Sequence, residues 1–460
     1  MPVSKAYYPP KPKLLWSLAA LLRVIWRGDG NLLELLPAAA YRFEVGSLGV
    51  SRRSTVLFNR PDLVREILRD SEGIFPKSDL MVNALEPLIG QSIFVTDGER
   101  WRRQRAMVDP AFSLMRISHA FAAMCAAVDD VEQRLDDAAV SGERLSLDLL
   151  MSQLTADIIC RTVFSASLDS RVAHEVFEDF TVFERSVAQV DIRRLITDPA
   201  WTEVPQPPEV LAACERIRAH LGTLVDSHLA PDADYNDIAS AVIAARDNDS
   251  GEPFSREELI DQLGVFFLAG HETTASVLTW VFYILAMQPQ TLARIRDEVD
   301  RVVGDGPLGF EQVRQLPFVR AVFRETLRLY PPITFLPRVA LRRAQIGPRR
   351  LRRGALVMIA PWTLHRHRRY WEDPDAFRPE RFLPQNEDRL TPGTYIPFGA
   401  GPHTCVGAGF ALAESVLIIA RLARRYEIQV EDPQRVRPAA RLTTRPAEQI
   451  HCRLSARQED

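Results

Sequence analysis

Ten residues near the C-terminal end, Phe398-Gly399-Ala400-Gly401-Pro402-His403-Thr404-Cys405-Val406-Gly407, set one cysteine in a glycine-rich turn. An apolar run with helical character follows at once (Phe410, Ala411, Leu412, Val416, Leu417, Ile418). A loop with so little side-chain bulk can lie flat against a large planar ligand. Its backbone N–H groups can point at a thiolate, and the start of a helix adds positive potential there. This is the arrangement that holds a haem iron by cysteine sulfur, a ligation that pushes electron density toward the metal and favours O–O cleavage. The pattern Phe-x-x-Gly-x-x-x-Cys-x-Gly is specific: with 22 Phe, 22 Gly and 5 Cys in 460 residues, chance supplies roughly 0.0005 occurrences.

A second chemical signal sits in the longest helix expected, Ser255 to about Met287. Ser255 and Glu258 form a capping-box signature, and Pro289 lies just beyond the far end. Its apolar middle, Leu263 to Ala269, is interrupted by Gly270-His271-Glu272-Thr273-Thr274. An acid and two hydroxyls inside so apolar a helix are costly unless they are satisfied or used. Thr back-bonding can bend the helix, and Gly270 allows another body to approach closely.

With both segments in view the chain resembles the cytochrome P450 family, and further motifs in family order carry the resemblance from about residue 40 to 455. Ala269-Gly270-x-Glu272-Thr273-Thr274 is similar to the family's oxygen-activation segment. Glu325-Thr326-Leu327-Arg328 matches its ExxR motif, and Pro379-Glu380-Arg381-Phe382 its companion segment. The resemblance implies a structural network of Glu325, Arg328 and Arg381 supporting the cysteine loop. Trp101 and Arg105 match the family's WxxxR, Arg338 the arginine after the ExxR helix, and His403 the cation two residues before the cysteine. These four are implied to face the propionates of haem b (iron protoporphyrin IX), with Ala269, Phe398 and Gly407 also against the cofactor. Cys405 is implied as the iron's axial ligand, Thr273 as the residue that passes protons and Glu272 as the acid that feeds it.

The resemblance also implies a substrate pocket drawn from Ser78–Phe94, Phe180–Trp201, Val265, Phe266, Ala269, Ile333, Thr334, Phe335, Leu336 and the neighbourhood of Thr443. These walls are mainly apolar, so a hydrophobic ligand is expected: a terpenoid, a fatty acyl chain or a steroid-like molecule. Arg193 and Arg194 are read either as partners of a substrate carboxylate or as a solvated helix end.

The implied activity is insertion of one atom of O2 into that ligand. Two alternatives on the same scaffold are a peroxide-driven peroxygenase and a non-enzymatic haem sensor. The first is disfavoured by the presence of Glu272 and Thr273, the second by the lack of an evident output domain. No flavin, ferredoxin or nicotinamide segment is apparent in the chain, so electrons are expected from a ferredoxin and ferredoxin reductase. Arg102, Arg103, Arg320, Arg366, Arg368 and Arg369 are read either as a basic docking face for that partner or as dispersed surface charge.

Those residues need elements to position them. Apolar periodicity predicts helices over Phe121–Leu135, Leu147–Phe164 and Glu209–Leu229. Short β segments are expected at Phe43–Val50, Ser54–Phe58, Gln345–Ile346, Ala355–Ile359, Tyr426–Val430 and Ile450–Leu454. The expectation is a mainly α fold with small β-sheets, the haem enclosed between the long central helix and the cysteine loop-helix. Length alone suggests about three domains, but no linker, repeat or low-complexity stretch divides the chain. It is read as residues 1–39, an N-terminal segment, and residues 40–460, a single haem domain.

Composition agrees: 46% hydrophobic and 25% charged residues are ordinary for a globular protein. A net charge of −3 carries no nucleic-acid signal. Lys5, Lys11, Lys13 and Lys77 are the only lysines among many arginines, which fits a GC-rich bacterial genome. Five scattered cysteines without a CxxC pair suit a reducing cytoplasm. Leu14–Trp26 is apolar but shorter than the about 20 residues a spanning helix needs. It is read as an amphipathic helix, lying on a membrane surface or docked on its own protein, and not as transmembrane.

Overall fold

The computed structural model of the chain describes residues 6–13, 31–47, 54–187, 204–304, 306–440 and 442–457. The apolar segment Leu14–Trp26, the pair Arg193 and Arg194, and the end of the Phe180–Trp201 stretch lie outside them.

Helices dominate. Those of nine residues or more are α1 (Pro61–Arg69), α2 (Asp79–Ile89), α3 (Gly98–Val108), α4 (Leu114–Ser141), α5 (Leu147–Phe164) and α6 (Arg171–Val187). They continue with α7 (Pro208–His228), α8 (Arg256–Met287), α9 (Pro289–Val303), α10 (Pro317–Leu329) and α11 (Ala408–Arg425). The three helices read from apolar periodicity are α4, α5 and α7, and only α4 runs well beyond its predicted span.

Helix α8 is the axis of the molecule. Ser255 accepts from the Glu258 N–H at 3.2 Å, and Glu258 Oε2 accepts from the Ser255 N–H at 2.9 Å, closing the capping box. From Leu259 to Leu285 nearly every side chain is buried, Phe267, Trp280 and Phe282 among them. Each such side chain contributes about 1.5–3 kcal/mol relative to exposure. Because α8 is apolar all round, it must be wrapped, and α5, α7, α10 and α11 pack around it. A Cβ on Gly270 would overlap Ile159 of α5, so this glycine is what lets the two helices meet. The Thr155 hydroxyl of α5 donates to the His271 carbonyl at 3.0 Å at the same crossing.

The described residues also form four small sheets. Strands β1 (Val45–Ser47), β2 (Val56–Phe58), β4 (Leu336–Val339) and β7 (Leu356–Ile359) form one sheet in the order β1-β2-β7-β4, with β2 and β7 parallel. Strands β3 (Leu145–Ser146), β8 (Tyr426–Val430) and β11 (His451–Ala456) form another, with β11 central. Two hairpins complete the set, β5 (Ala344–Ile346) with β6 (Arg349–Leu351) and β9 (Pro438–Ala440) with β10 (Thr444–Pro446). The β5–β6 turn is only two residues long, and Gly347 at φ +52° supplies its left-handed position. Among the described residues no single helix is long and apolar enough to cross a membrane.

Candidate active site

The cysteine loop is built by its own backbone. Cys405 N–H donates to Phe398 O at 2.9 Å, Thr404 N–H to Gly401 O at 3.2 Å and Gly399 N–H to Ile396 O at 3.0 Å. Gly399 and Gly401 take φ values of +76° and +75°, a region other residues enter at a cost. A Cβ on Gly401 would also lie 2.6 Å from the Leu68 carbonyl oxygen of α1. Gly407 caps α11 and its N–H bonds the Cys405 sulfur. The sulfur thus meets a backbone donor and the positive end of an 18-residue helix. Protein surrounds the thiol closely enough that desolvation raises its pKa, against the Gly407 N–H and Arg105, yet the residue still presents accessible surface.

A buried network holds that loop from behind. Arg328 clamps Glu325 with two bonds, Nε to Oε2 at 2.7 Å and Nη2 to Oε1 at 2.8 Å, both side chains being fully buried. The guanidinium also donates to His365 O (2.8 Å), Pro374 O (2.7 Å) and Ala376 O (3.0 Å). Arg381 Nε lies 3.5 Å from Glu325 Oε1. His365 Nε2 accepts from the Ile396 N–H at 2.9 Å, which carries the scaffold into the cysteine loop. Burial, with Arg328 and Arg366 nearby, lowers His365 to about 3, so the ring is a neutral acceptor.

Beside the loop lies a cluster of cations. An antiparallel backbone bridge sets Lys77 against Arg338, both buried. Lys77 Nζ donates to Ile93 O (3.2 Å) and Thr96 O, and Arg338 Nη1 reaches only Pro337 O at 3.2 Å. Arg105 donates to Thr404 O at 2.6 Å, and Trp101 stacks on His403 with ring centroids 3.9 Å apart. Burial and the neighbouring Lys77, Arg338 and Arg105 lower His403 to about 3, and its Nδ1 is buried without a partner. His403 is therefore a neutral ring, unlike the cation its position suggests. Burial lowers Lys77 to about 7 and depresses Arg338, with Asp97 opposing in both cases. Arg105 is half-buried and pairs with Asp109 at 2.5 Å. Lys77 and Arg338, however, are buried with no carboxylate within ion-pair reach among the described residues, which is expensive unless an anionic ligand meets them.

Around the middle of α8, a small cavity of about 40 Å3 is lined by Leu85, Phe94, Val265, Leu268, Ala269, Glu272, Thr273, Ile333, Leu442 and Thr443. Its walls are apolar apart from Glu272, Thr273 and Thr443. The Thr273 hydroxyl donates back to Ala269 O at 2.6 Å. Glu272 is clamped by Arg445 of β10, with Nε 3.0 Å from Oε1 and Nη2 on Oε2, and it accepts from the Thr443 hydroxyl. Burial alone would raise this carboxyl, but Arg445, His271 and Thr443 hold it below the ordinary range.

Of the residues singled out from sequence, Val265, Ala269, Glu272, Thr273, Ile333 and Thr443 line this cavity, whereas the pocket candidates Phe266, Thr334, Phe335 and Leu336 do not. Phe266 packs edge-on against Phe112 with centroids 5.2 Å apart. Thr334 is buried with its hydroxyl 2.8 Å from that of Thr444, and Phe335 is half-buried against the core. Arg366, read as part of a docking face, is only 2% exposed and lies over the Trp362 ring at 3.8 Å, so it cannot meet a partner. Two site residues escaped the sequence reading. Lys77 carried one signal, as the only lysine beyond residue 13. Arg445 carried none, because nothing in spacing links it to Glu272, 173 positions away.

Comparison with known proteins agrees with this geometry. The cytochrome P450 family model matches residues 9–453. Protein LUTEIN DEFICIENT 5, chloroplastic, of Arabidopsis thaliana is 31% identical over 441 residues, covering 92% of this chain and 73% of the relative. Cyclooctat-9-en-7-ol 5-monooxygenase of Streptomyces melanosporofaciens is 31% identical over 410 residues (88% and 86%). Pentalenene oxygenase of Streptomyces avermitilis is 26% identical over 439 residues (94% of each). Among solved structures, the cytochrome P450DA heme domain superposes with a TM-score of 0.78 at 23% identity, covering 98% of this chain and 97% of that one. The residues present fit the family's haem: an accessible cysteine in a loop cleared by glycines, a row of buried cations, and an apolar space beyond. The chain belongs to the cytochrome P450 family and is a haem-thiolate monooxygenase.

Proposed function

We propose that the protein hydroxylates a terpenoid hydrocarbon skeleton, drawing electrons from a separate ferredoxin and its reductase. The observation that carries this reading is the cavity wall: Leu85, Phe94, Val265, Leu268, Ile333 and Leu442 are aliphatic or aromatic, and no basic side chain lines it. A fatty acid would bring a carboxylate that finds no cation there. The names of two bacterial relatives, cyclooctat-9-en-7-ol 5-monooxygenase and pentalenene oxygenase, support a cyclic terpenoid.

Bound haem supplies the iron chemistry that activates O2. The chain's own residues then have distinct tasks. Cys405 would hold the haem iron through its sulfur, with the Gly407 N–H moderating the charge there. Lys77, Arg105 and Arg338 supply cations for the propionates, Trp101 and His403 pack beside them, and Phe398 and Gly407 frame the loop. Thr273 holds a proton at Oγ1 on the cavity wall, and Glu272 is the acid beside it. Val265, Ala269, Ile333 and Thr443 orient the substrate. Exposed Arg102, Arg368 and Arg369 offer a basic face to an acidic redox partner. The five unpaired cysteines suit a cytoplasmic setting.

Titrating the ferric holoenzyme with cyclic terpenes, fatty acids and steroids, while following the Soret band, tests the substrate class. A high-spin shift confined to the terpenes is expected. A shift with fatty acids and none with terpenes would overturn it.

A further inference from the structure

Behind Glu272, away from the cavity, lies a pair that the reactions above do not use. His271 Nε2 is 3.0 Å from Glu184 Oε1 of α6, while His271 Nδ1 is 2.8 Å from the Phe267 carbonyl oxygen. A carbonyl only accepts, so Nδ1 must carry a proton and donate it there. Nε2 and Oε1 lie at ion-pair distance, while Oε1 is buried and makes no well-aligned hydrogen bond; two bare acceptors that close repel unless one more proton lies between them. It sits on the ring, as imidazolium beside carboxylate, or on the acid, as carboxyl beside neutral imidazole. Either way the pair holds one shared proton. Ring, Glu184 and Glu272 each place a polar atom within 4.8 Å of the other two.

By distance the three could form a metal-ligand set. However, the Arg445 guanidinium already occupies both oxygens of Glu272, so the local cation is a side chain. What remains is a line of proton-bearing groups with one end toward solvent. The Glu184 side chain is 17% exposed, although its Oε1 beside His271 is buried, against 2% for His271 and 5% for Glu272. Phe177, Phe180 and Phe267 surround the imidazole with centroids 4.8–6.1 Å away and shield it.

We propose that Glu184 and His271 form the proton port of the enzyme, taking a proton from solvent at Glu184 and passing it to Glu272 beside the cavity. In the step, the proton shared by Glu184 and His271 leaves for a Glu272 oxygen, directly or through one bridging water. Glu272 becomes neutral and Glu184 is left as carboxylate beside neutral His271. Arg445 keeps its charge, so the net charge of the four groups is unchanged. A solvent proton restores the pair. The groups facing it are Glu272 on α8, Arg445 on β10 with Asp148 of α5 beyond, and Glu184 on α6. Burial raises Glu184 with Glu272 adding to it, and the neighbouring acids raise His271 against its burial, which matches one retained proton.

The port rests on the monooxygenase reaction and not on the terpenoid reading, and its first test needs no substrate. The infrared difference spectrum of wild-type holoenzyme minus Glu184→Gln should show a deuterium-sensitive band of a protonated carboxyl or of an imidazolium. A difference showing only an ionised carboxylate overturns the shared proton. In turnover with any compound that shifts the Soret band, Glu184→Gln should keep that shift but lose about 10-fold in product per electron pair. Glu184→Asp should restore part of it with a displaced pH profile. Unchanged coupling in Glu184→Gln overturns the port. If Glu184→Gln does not fold, a wild-type pH profile in Glu184→Asp does so equally.

Discussion

Arg445, on a hairpin near the end of the chain, grips Glu272 in the middle of the central helix through both carboxylate oxygens. The acid that the motif places beside the reaction therefore enters as half of a buried ion pair. Its proton traffic works against a guanidinium, and the electrostatics of the site depend on an element far away in sequence.

Removing that clamp exposes its worth. Arg445→Gln leaves a buried carboxylate unpaired, a loss of about 3–5 kcal/mol. In wild type the Glu272 pKa lies below its unfolded value, so its contribution is present above the ordinary carboxylate range and fades as pH falls through the folded pKa. The stability gap between wild type and variant should thus be wide at neutral pH and narrow at acid pH. Urea unfolding at both conditions measures it, and an equal gap at both would contradict the ion-pair account.

Thr273→Ala should bind haem and ligand as wild type does, since its hydroxyl only back-bonds to Ala269 and faces the cavity. Product per electron pair should fall about 10-fold or more, the difference appearing as hydrogen peroxide. Well-coupled turnover would remove Thr273 from the proton path.

Two glycines in the cysteine loop separate conformational cost from steric cost. Gly399→Ala meets only the His403 carbonyl oxygen at 3.8 Å, so backbone strain of about 1–2 kcal/mol is its main penalty. Gly401→Ala adds a contact at 2.6 Å with the Leu68 carbonyl oxygen and must move the loop. Haem retention after gel filtration should drop much further for Gly401→Ala. Equal retention would show that α1 does not brace the loop.

Glu414 is fully buried on α11, neither carboxylate oxygen makes a well-aligned hydrogen bond, and burial lifts its pKa well above the ordinary value against the nearby Thr274 hydroxyl. A carboxyl raised on folding favours the native state at low pH and costs stability as pH rises from its unfolded toward its folded pKa. Glu414→Gln should therefore gain thermal stability relative to wild type as pH increases. A constant difference across pH would show that Glu414 does not titrate in that range.

What was legible in the sequence was what lies in one continuous stretch. The cysteine loop, the capping box at Ser255 and Glu258, the helix Leu147–Phe164 and the strand Tyr426–Val430 could all be read from local pattern. Glu325 and Arg328 were also visible, one helical turn apart. What escaped was pairing over distance. Lys77 meets Arg338 only because a backbone bridge joins segments 261 positions apart, and Arg445 reaches Glu272 only through the C-terminal hairpin. Phe266 and Thr334 sit within pocket-forming stretches, but helix phase and a Thr–Thr hydrogen bond turn them elsewhere. Arg366 looks like a surface arginine until Trp362 and Tyr330 are folded over it.

The most direct measurement is the carbon monoxide spectrum of the reduced protein, wild type against Cys405→Ser. Wild type should show the strongly red-shifted Soret band of thiolate-ligated haem, and the variant should lose it while remaining folded. A thiolate-type band that survives in Cys405→Ser would contradict the assignment of this sulfur, and with it the site built around it.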